Sequence, residues 1–177
     1  VTVEVLLAIL LSILPAKSEA PRLYAVALDI WSAAEESPLY CGPEARLATS
    51  LTLAAVAVHE SGLRGDVQDC SRCLPGSPWC DRGRSVSMYQ LHVGSGAWRG
   101  FSREEICSDN SIATSLALRI LERHRHGMSP ASLFDGYARG ARRGAAQEMA
   151  GIFASMARTA RIHATRRDGC LHARRIQ

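Results

Sequence analysis

Apolar residues recur every three to four positions from Leu23 onward (Leu23, Val26, Ala27, Ile30, Trp31, Ala34). That period lines one stripe of a helix over residues 21–36, with Pro21 in its first turn, where a missing N–H costs nothing, and Ser37-Pro38 ending it. From Glu44 the pattern thickens to Leu47, Ala48, Leu51, Leu53, Ala54, Ala55, Val56 and Val58. An almost continuous apolar run predicts a helix buried on most faces, with Gly62 as its C-terminal cap. Residues 63–84 show neither the helical nor the strand period and are rich in Asp, Arg, Gly, Pro and Cys, which predicts a loop. Residues 85–93 alternate small or polar with apolar side chains and predict a short strand or extended turn. A helix of about 16 residues follows from Asp109 as N-cap, with Ile112, Leu116, Ile120 and Leu121 inward and Gly127 as its stop. A short helix near residues 130–140 comes next. A last one, Ala145 to His163, carries the stripe Met149, Ile152, Phe153, Met156, Ala157 and Ala160. No repeat, phosphate-binding glycine loop or heptad interrupts this order.

The N-terminus departs from that amphipathic pattern. Val5 to Leu14 is almost unbroken apolar sequence, followed by Pro15-Ala16-Lys17-Ser18-Glu19-Ala20. Ten apolar residues cannot span a bilayer core of about 30 Å as a helix, and the length suits the apolar region of an export signal. Residues 1–20 are therefore expected to be a signal peptide, with a retained anchor or a buried first helix as the alternatives, and residues 21–177 a single domain. Ala16 and Ala20 are the candidate cleavage positions.

Composition changes the picture in two respects. Six cysteines (Cys41, Cys70, Cys73, Cys80, Cys107, Cys170) are many for a reducing cytosol and, behind an export signal, read as disulfides of unassigned connectivity. The rival reading is zinc on Cys70-x2-Cys73 with Cys80, which lacks a second ligand pair at ribbon spacing. The formal net charge is +4, unevenly spread: residues 119–177 hold 12 arginines against 4 acids, a net +8, so the remainder is acidic. A basic C-terminal half suits an anionic polymer, either nucleic acid, an acidic membrane surface or a wall glycan. The arginines at 139–143, 166–167 and 174–175 are otherwise a solvated face, and no recognition helix accompanies them as DNA binding would require.

One residue conflicts with its surroundings. Glu60 ends the most apolar helix of the chain, directly after Ala55-Val56-Ala57-Val58-His59. Burial and the partial negative charge of a helix C-terminus both disfavour its carboxylate and push its pKa upward. A carboxylic acid still protonated near neutral pH is what a glycosidase needs to protonate a glycosidic oxygen. The competing reading is a solvated terminal glutamate paired with Arg64.

Three segments surround that glutamate: His59-Glu60-Ser61-Gly62, then Ser87-Met88-Tyr89-Gln90, then Gly136-Tyr137-Ala138-Arg139-Gly140. In order and spacing this resembles the lytic transglycosylase and goose-type lysozyme group over roughly residues 40–160, with its Glu-Ser-Gly, Gly-Leu-Met-Gln and Ala-Tyr-Asn-x-Gly motifs. The resemblance implies an α+β, predominantly helical, lysozyme-like fold. It makes Glu60 the catalytic acid, places Gln90 in the sugar cleft together with Ser61, Ser87 and Met88, and gives Tyr137 the role of a phenol that hydrogen-bonds near the glutamate and orients it. Four positions differ from the motifs: Ser87 for glycine, Tyr89 for methionine, Gly136 for alanine and Ala138 for asparagine.

The resemblance further implies cleavage between N-acetylmuramic acid and N-acetylglucosamine in peptidoglycan, without metal or cofactor, by an exported periplasmic or extracellular monomer. Its partners would be glycan strands, with peripheral membrane or envelope-machinery association but no nucleic acid. A hydrolase needs a second carboxylate, for which Asp66 and Asp69 are the candidates nearest in sequence. A transglycosylase does without one, because the substrate's N-acetyl group and 6-hydroxyl replace the nucleophile and water. A non-catalytic wall-binding protein and a zinc-stabilised interaction domain are the other classes. Trp79 and Trp98 are candidate sugar-stacking side chains. His59, His124 and His126 read as packed or surface histidines, and Ser61 lacks the partners of a nucleophile.

Overall fold

The computed structural model describes residues 2–14, 19–92, 98, 100–123, 130–137, 144–160 and 165–166. About 71% of these are helical, so helix packing forms the core and the strands are no more than short clips. The expected features at Ala16, the residues from Val93 to Ala97, Gly127, His124 to His126, Ala138 to Arg143, His163, Arg167, Cys170 and the two terminal arginines lie outside the described residues. Two compact units are present, Val1–Ala54 with Phe153–Gln177, and Ala55–Ile152.

In the first unit, α1 (Val3–Ile13) packs on α2 (Ala20–Glu36). Leu6, Ile9 and Leu10 from α1 and Leu23, Val26, Ala27 and Ile30 from α2 are buried. The apolar run expected as an export signal thus forms a helix of 11 residues, about 17 Å at 1.5 Å per residue, and no helix among the described residues is long and apolar enough to cross a membrane. Pro21 sits in the first turn of α2 as its sequence predicts. Strand β1 (Tyr40–Cys41) pairs antiparallel with β4 (Thr165–Arg166). The Tyr40 ring stacks on Phe153 and its hydroxyl meets Thr52 Oγ1 at 3.0 Å. Arg46 lies 4.3 Å over the Trp31 ring and pairs with Glu35 at 2.8 Å.

The second unit begins within α3 (Ala45–Ser61) and ends within α9 (Ala145–Ala160). After α3 come the one-turn α4 (Gly65–Gln68) and α5 (Cys80–Gly83), a hairpin of β2 (Ser85–Val86) and β3 (Leu91–His92), then α6 (Arg103–Ser108), α7 (Asn110–Arg123) and α8 (Pro130–Tyr137). Its core holds Val56, Ala57, Met88, Tyr89, Leu116, Leu121, Phe134 and Met149, all essentially inaccessible. Tyr89 is the largest of these, and its hydroxyl is satisfied by Thr114 Oγ1 at 3.2 Å.

Several sequence expectations change in detail. The short strand or extended turn expected over residues 85–93 is a two-stranded hairpin, with Ser85 opposite His92 and Val86 opposite Leu91. Ser87 and Gln90 close its turn with left-handed backbone, φ +63° and +49°, which non-glycine residues adopt only under local constraint. Helix α6 was not expected, although Ser102 and Glu105 form a full capping box at its start. Ile112 and Ile120 of α7, and Ile152, Ala157 and Ala160 of α9, are half-buried rather than fully inward.

The described cysteines are all in disulfides. Cys70 pairs with Cys107 and Cys73 with Cys80, and Cys41 is also disulfide-bonded. The thiols that a zinc site would need are therefore unavailable as ligands. Among the described residues no cluster of His, Cys, Asp and Glu could hold a metal ion.

Candidate functional site

Helix α3 drives its second half into the core, with Ala55, Val56 and Ala57 fully buried. It then breaks at Gly62, whose φ of +61° is the left-handed value that favours glycine and whose N–H donates to Val58 O at 2.8 Å. Ser61 turns its hydroxyl back to Ala57 O at 2.8 Å and accepts from Leu63 N at 3.1 Å. Glu60 is left on the last turn with its side chain only 20% exposed. Burial holds its carboxyl above the ordinary value near 4.5, and the adjacent His59 opposes that shift without cancelling it.

Glu60 opens into a pocket of about 160 Å³. That is below the roughly 300–1,000 Å³ of pockets that enclose drug-sized ligands, so it corresponds to one local recess, not a whole binding groove. Ser61, Arg64, Val67, Arg72, Trp79, Cys80 and Gln90 complete its lining. Arg64 and Arg72 converge on Asp66: Arg64 Nη2 and Arg72 Nη1 reach Asp66 Oδ2 at 2.8 and 2.9 Å. These two guanidinium hydrogen bonds depress the Asp66 carboxyl to about 2. The Arg72 guanidinium also lies 3.8 Å over the indole of Trp79, a cation–π contact that fixes the orientation of a ring still 51% exposed.

The loop bearing Trp79 has no apolar core of its own and is held by polar and covalent ties. The Cys73–Cys80 disulfide closes it. Ser77 Oγ donates to Arg72 O at 2.9 Å and accepts from Trp79 N at 3.2 Å. Arg103 reaches in from α6, donating Nη1 to Gly83 O at 2.9 Å and Nη2 to Cys73 O. Gly83 is obligatory, because a Cβ there would lie 2.5 Å from Leu74 O and its φ is +77°.

The hairpin supplies the facing wall. Gln90 lines the pocket with its amide nitrogen held by Ser87 O at 3.2 Å and by Cys80 Sγ at 3.6 Å. Its amide oxygen takes no part in either bond, which keeps an acceptor for a ligand hydroxyl. The expectation for Ser87 and Met88 needs correcting. Both are at most 1% exposed and neither lines the pocket. Ser87 Oγ accepts from Tyr89 N at 3.3 Å and its own N–H points to Cys70 Sγ at 3.3 Å. These two residues build the turn that presents Gln90 and stand behind the pocket wall rather than in it.

Tyr137 is also reassigned in part. Its hydroxyl donates to Tyr89 O at 2.5 Å, so the phenol anchors the hairpin turn and does not bond to Glu60. Desolvation keeps the phenol protonated well above its usual range, and the negative charge of Glu60 pushes the same way. The glutamate and this phenol therefore share one electrostatic environment without a direct bond. Ala138, in the place of the motif asparagine, lies outside the described residues. Trp98 is half-buried and does not line the pocket, whereas Trp79 does.

Three participants were not visible in the sequence. Arg72 and Arg103 shape the Trp79 loop, and Glu148 on α9 meets His59 Nε2 at 3.2 Å. The histidine read as a packed or surface residue thus stands between two carboxyls, with Nδ1 3.4 Å from Glu60 Oε1. Comparison with protein-family models, curated proteins and solved structures finds no match to this chain.

Proposed function

We propose that this protein is an exported peptidoglycan lytic transglycosylase of lysozyme-like fold, cleaving the β-1,4 bond between N-acetylmuramic acid and N-acetylglucosamine. The observation that carries the reading is Glu60: a carboxyl whose pKa burial raises, at the mouth of a pocket that also offers a polar amide in Gln90 and an exposed indole in Trp79. That combination suits a sugar ring, whose apolar face stacks on the indole and whose hydroxyls meet the amide.

In this mechanism Glu60 transfers its proton to the glycosidic oxygen as the C1–O4 bond breaks. The carbonyl oxygen of the substrate's own N-acetyl group bonds to C1 and holds the positive charge as an oxazolinium ion. Glu60, now a carboxylate, takes the proton of the 6-hydroxyl. O6 then bonds to C1, the oxazolinium ring reopens, and the product carries a 1,6-anhydro end while Glu60 is again protonated. No water and no second carboxylate enter.

The disposition of the other acids supports transglycosylation over hydrolysis. Asp66 is committed to Arg64 and Arg72 and, with its pKa near 2, is a feeble base. Asp69 accepts from Ser71 N at 2.9 Å and does not line the pocket. Glu148 is separated from Glu60 by the His59 ring, whose two nitrogens face the two carboxyls. The disulfides fit an oxidising periplasmic or extracellular compartment. The protein would work on glycan strands as a monomer and need no cofactor.

Mass spectrometry of the fragments released from purified sacculi tests the reading. Anhydro-muropeptides are the expected product. Reducing ends would make the protein a lysozyme-type hydrolase, and binding to sacculi without release would make it a non-catalytic wall-binding protein.

A further inference from the structure

His59 links the candidate acid on α3 to a carboxyl 89 positions away on α9. A carboxylate only accepts hydrogen bonds, so the 3.2 Å contact from Nε2 to Glu148 Oε2 requires the hydrogen to sit on Nε2. In the neutral ring that leaves a bare lone pair on Nδ1. Nδ1 is buried and has no hydrogen-bond partner among the described residues. The atom it faces is Glu60 Oε1, at 3.4 Å and not yet aligned for a bond. Catalytic hydrogen bonds are often this long before substrate binds and tighten in the complex.

An ionised Glu60 facing that lone pair would leave two acceptors opposed in a poorly solvated site, with the His59 side chain only 12% exposed. One proton between them removes the conflict, whether it rests on Oε1 or on Nδ1. We propose that His59 is a positioning residue that shares one proton with Glu60 across the Nδ1···Oε1 gap, with Glu148 fixing the ring from its far side. The inference deepens the transglycosylase reading by assigning the partner of its acid. Burial of Glu60 draws the proton to the carboxyl, and the negative charge of Glu148 draws it to the ring. Among the described residues, the other charged or titratable groups about Glu60 are Arg64 and Arg72 in the pocket wall and the Tyr137 phenol on α8. Both arginines are tied to Asp66. Sharing makes the two groups titrate as a pair with common macroscopic midpoints.

The test is an NMR-monitored pH titration of the intact protein, following the Glu60 side-chain carbonyl carbon and the His59 ring nitrogens. The expected result is that both signals move through the same two midpoints. In Glu60→Gln and in Glu148→Gln, His59 titrates with a midpoint at least half a pH unit lower, because each variant removes an anion that stabilises the charged ring. A single-step Glu60 curve together with a His59 midpoint unmoved by Glu60→Gln would overturn the proposal. This readout needs no activity, so failure of sacculus digestion rejects the enzymatic reading and leaves the titration decisive for the pair. Where digestion is observed, Glu148→Gln shifts the alkaline limb of the kcat profile to lower pH with KM changed less than twofold. A uniform loss at every pH would instead mark a purely structural contact and count against proton sharing.

Discussion

Glu60 stands out in the sequence because charge and context disagree there: a carboxylate placed after four apolar residues at the end of a helix has to be either solvated or protonated. Burial raises the pKa of this carboxyl and so favours the acid form, against the opposing pull of His59. The folded carboxyl titrates above its unfolded value near 4.5, so the stability owed to the protonated form is complete below that value and lost as pH rises through the folded one. Glu60→Gln, neutral and of the same shape, is therefore expected to raise the Tm at pH 7 by about 2–4 °C per kcal/mol of relieved burial, and to leave it unchanged near pH 4. Differential scanning calorimetry at the two pH values checks this. Asp66 has the opposite sign. Its carboxyl is held near 2 by Arg64 and Arg72, so the stability from this network is present above the unfolded value near 3.8 and lost as pH falls through about 2. With 38% of its side chain exposed, Asp66→Asn should cost under about 1 kcal/mol, measurable by urea unfolding at pH 7. The larger consequence is release of Arg72 from its place against Trp79, read as a shift in Trp79 fluorescence and, under the proposed function, as weaker glycan binding. Neither arginine's role could be read from the chain, since the ring and cation that meet lie seven positions apart in a loop without periodicity.

At the scale of elements, the helices with full apolar stripes were legible to within a residue or so. Helix α2 runs from Ala20 to Glu36 against an expected 21–36, and α3 stops at Ser61 before its predicted glycine. Period and breaker agree at those sites. The sequence leaves a short strand and an extended turn open over the hairpin, because its turn contains neither glycine nor asparagine, the residues that announce left-handed backbone. Helix α6, six residues long, is too short to show a period, although the Ser102-x-x-Glu105 spacing was its signature. Ser102→Ala and Asp109→Ala, the latter removing the carboxylate that accepts from Ser111 N at 2.8 Å, should each destabilise the protein by about 1 kcal/mol. Gly83→Ala is a sharper perturbation, because the new methyl meets the backbone of Leu74 at 2.5 Å. It should cost several times a surface substitution and shift the Trp79 fluorescence, since the displaced segment carries that ring.

Across the whole molecule, the cysteine count pointed to an oxidising compartment and the structure supplies two of the pairings the sequence left open. The span from Cys70 to Cys107 closes a loop of 37 residues and that from Cys73 to Cys80 one of 7, which in the chain-entropy treatment are worth about 4 and 2.5 kcal/mol. Reductant should thus lower the Tm well before it changes the helix content seen by circular dichroism, with the pocket around Trp79 the first feature lost. The alignment of His59 with Glu60 and Glu148 belongs to this scale as well, because no local pattern relates positions on α3 and α9. Under the proposed function a single glutamate, Glu60, performs the cleavage. Its decisive test compares wild type with Glu60→Gln on purified sacculi, with folding of both verified by circular dichroism. Release of anhydro-muropeptides by the wild type and a loss of at least about a thousandfold in the variant are expected. Undiminished release by Glu60→Gln would remove Glu60 from the mechanism.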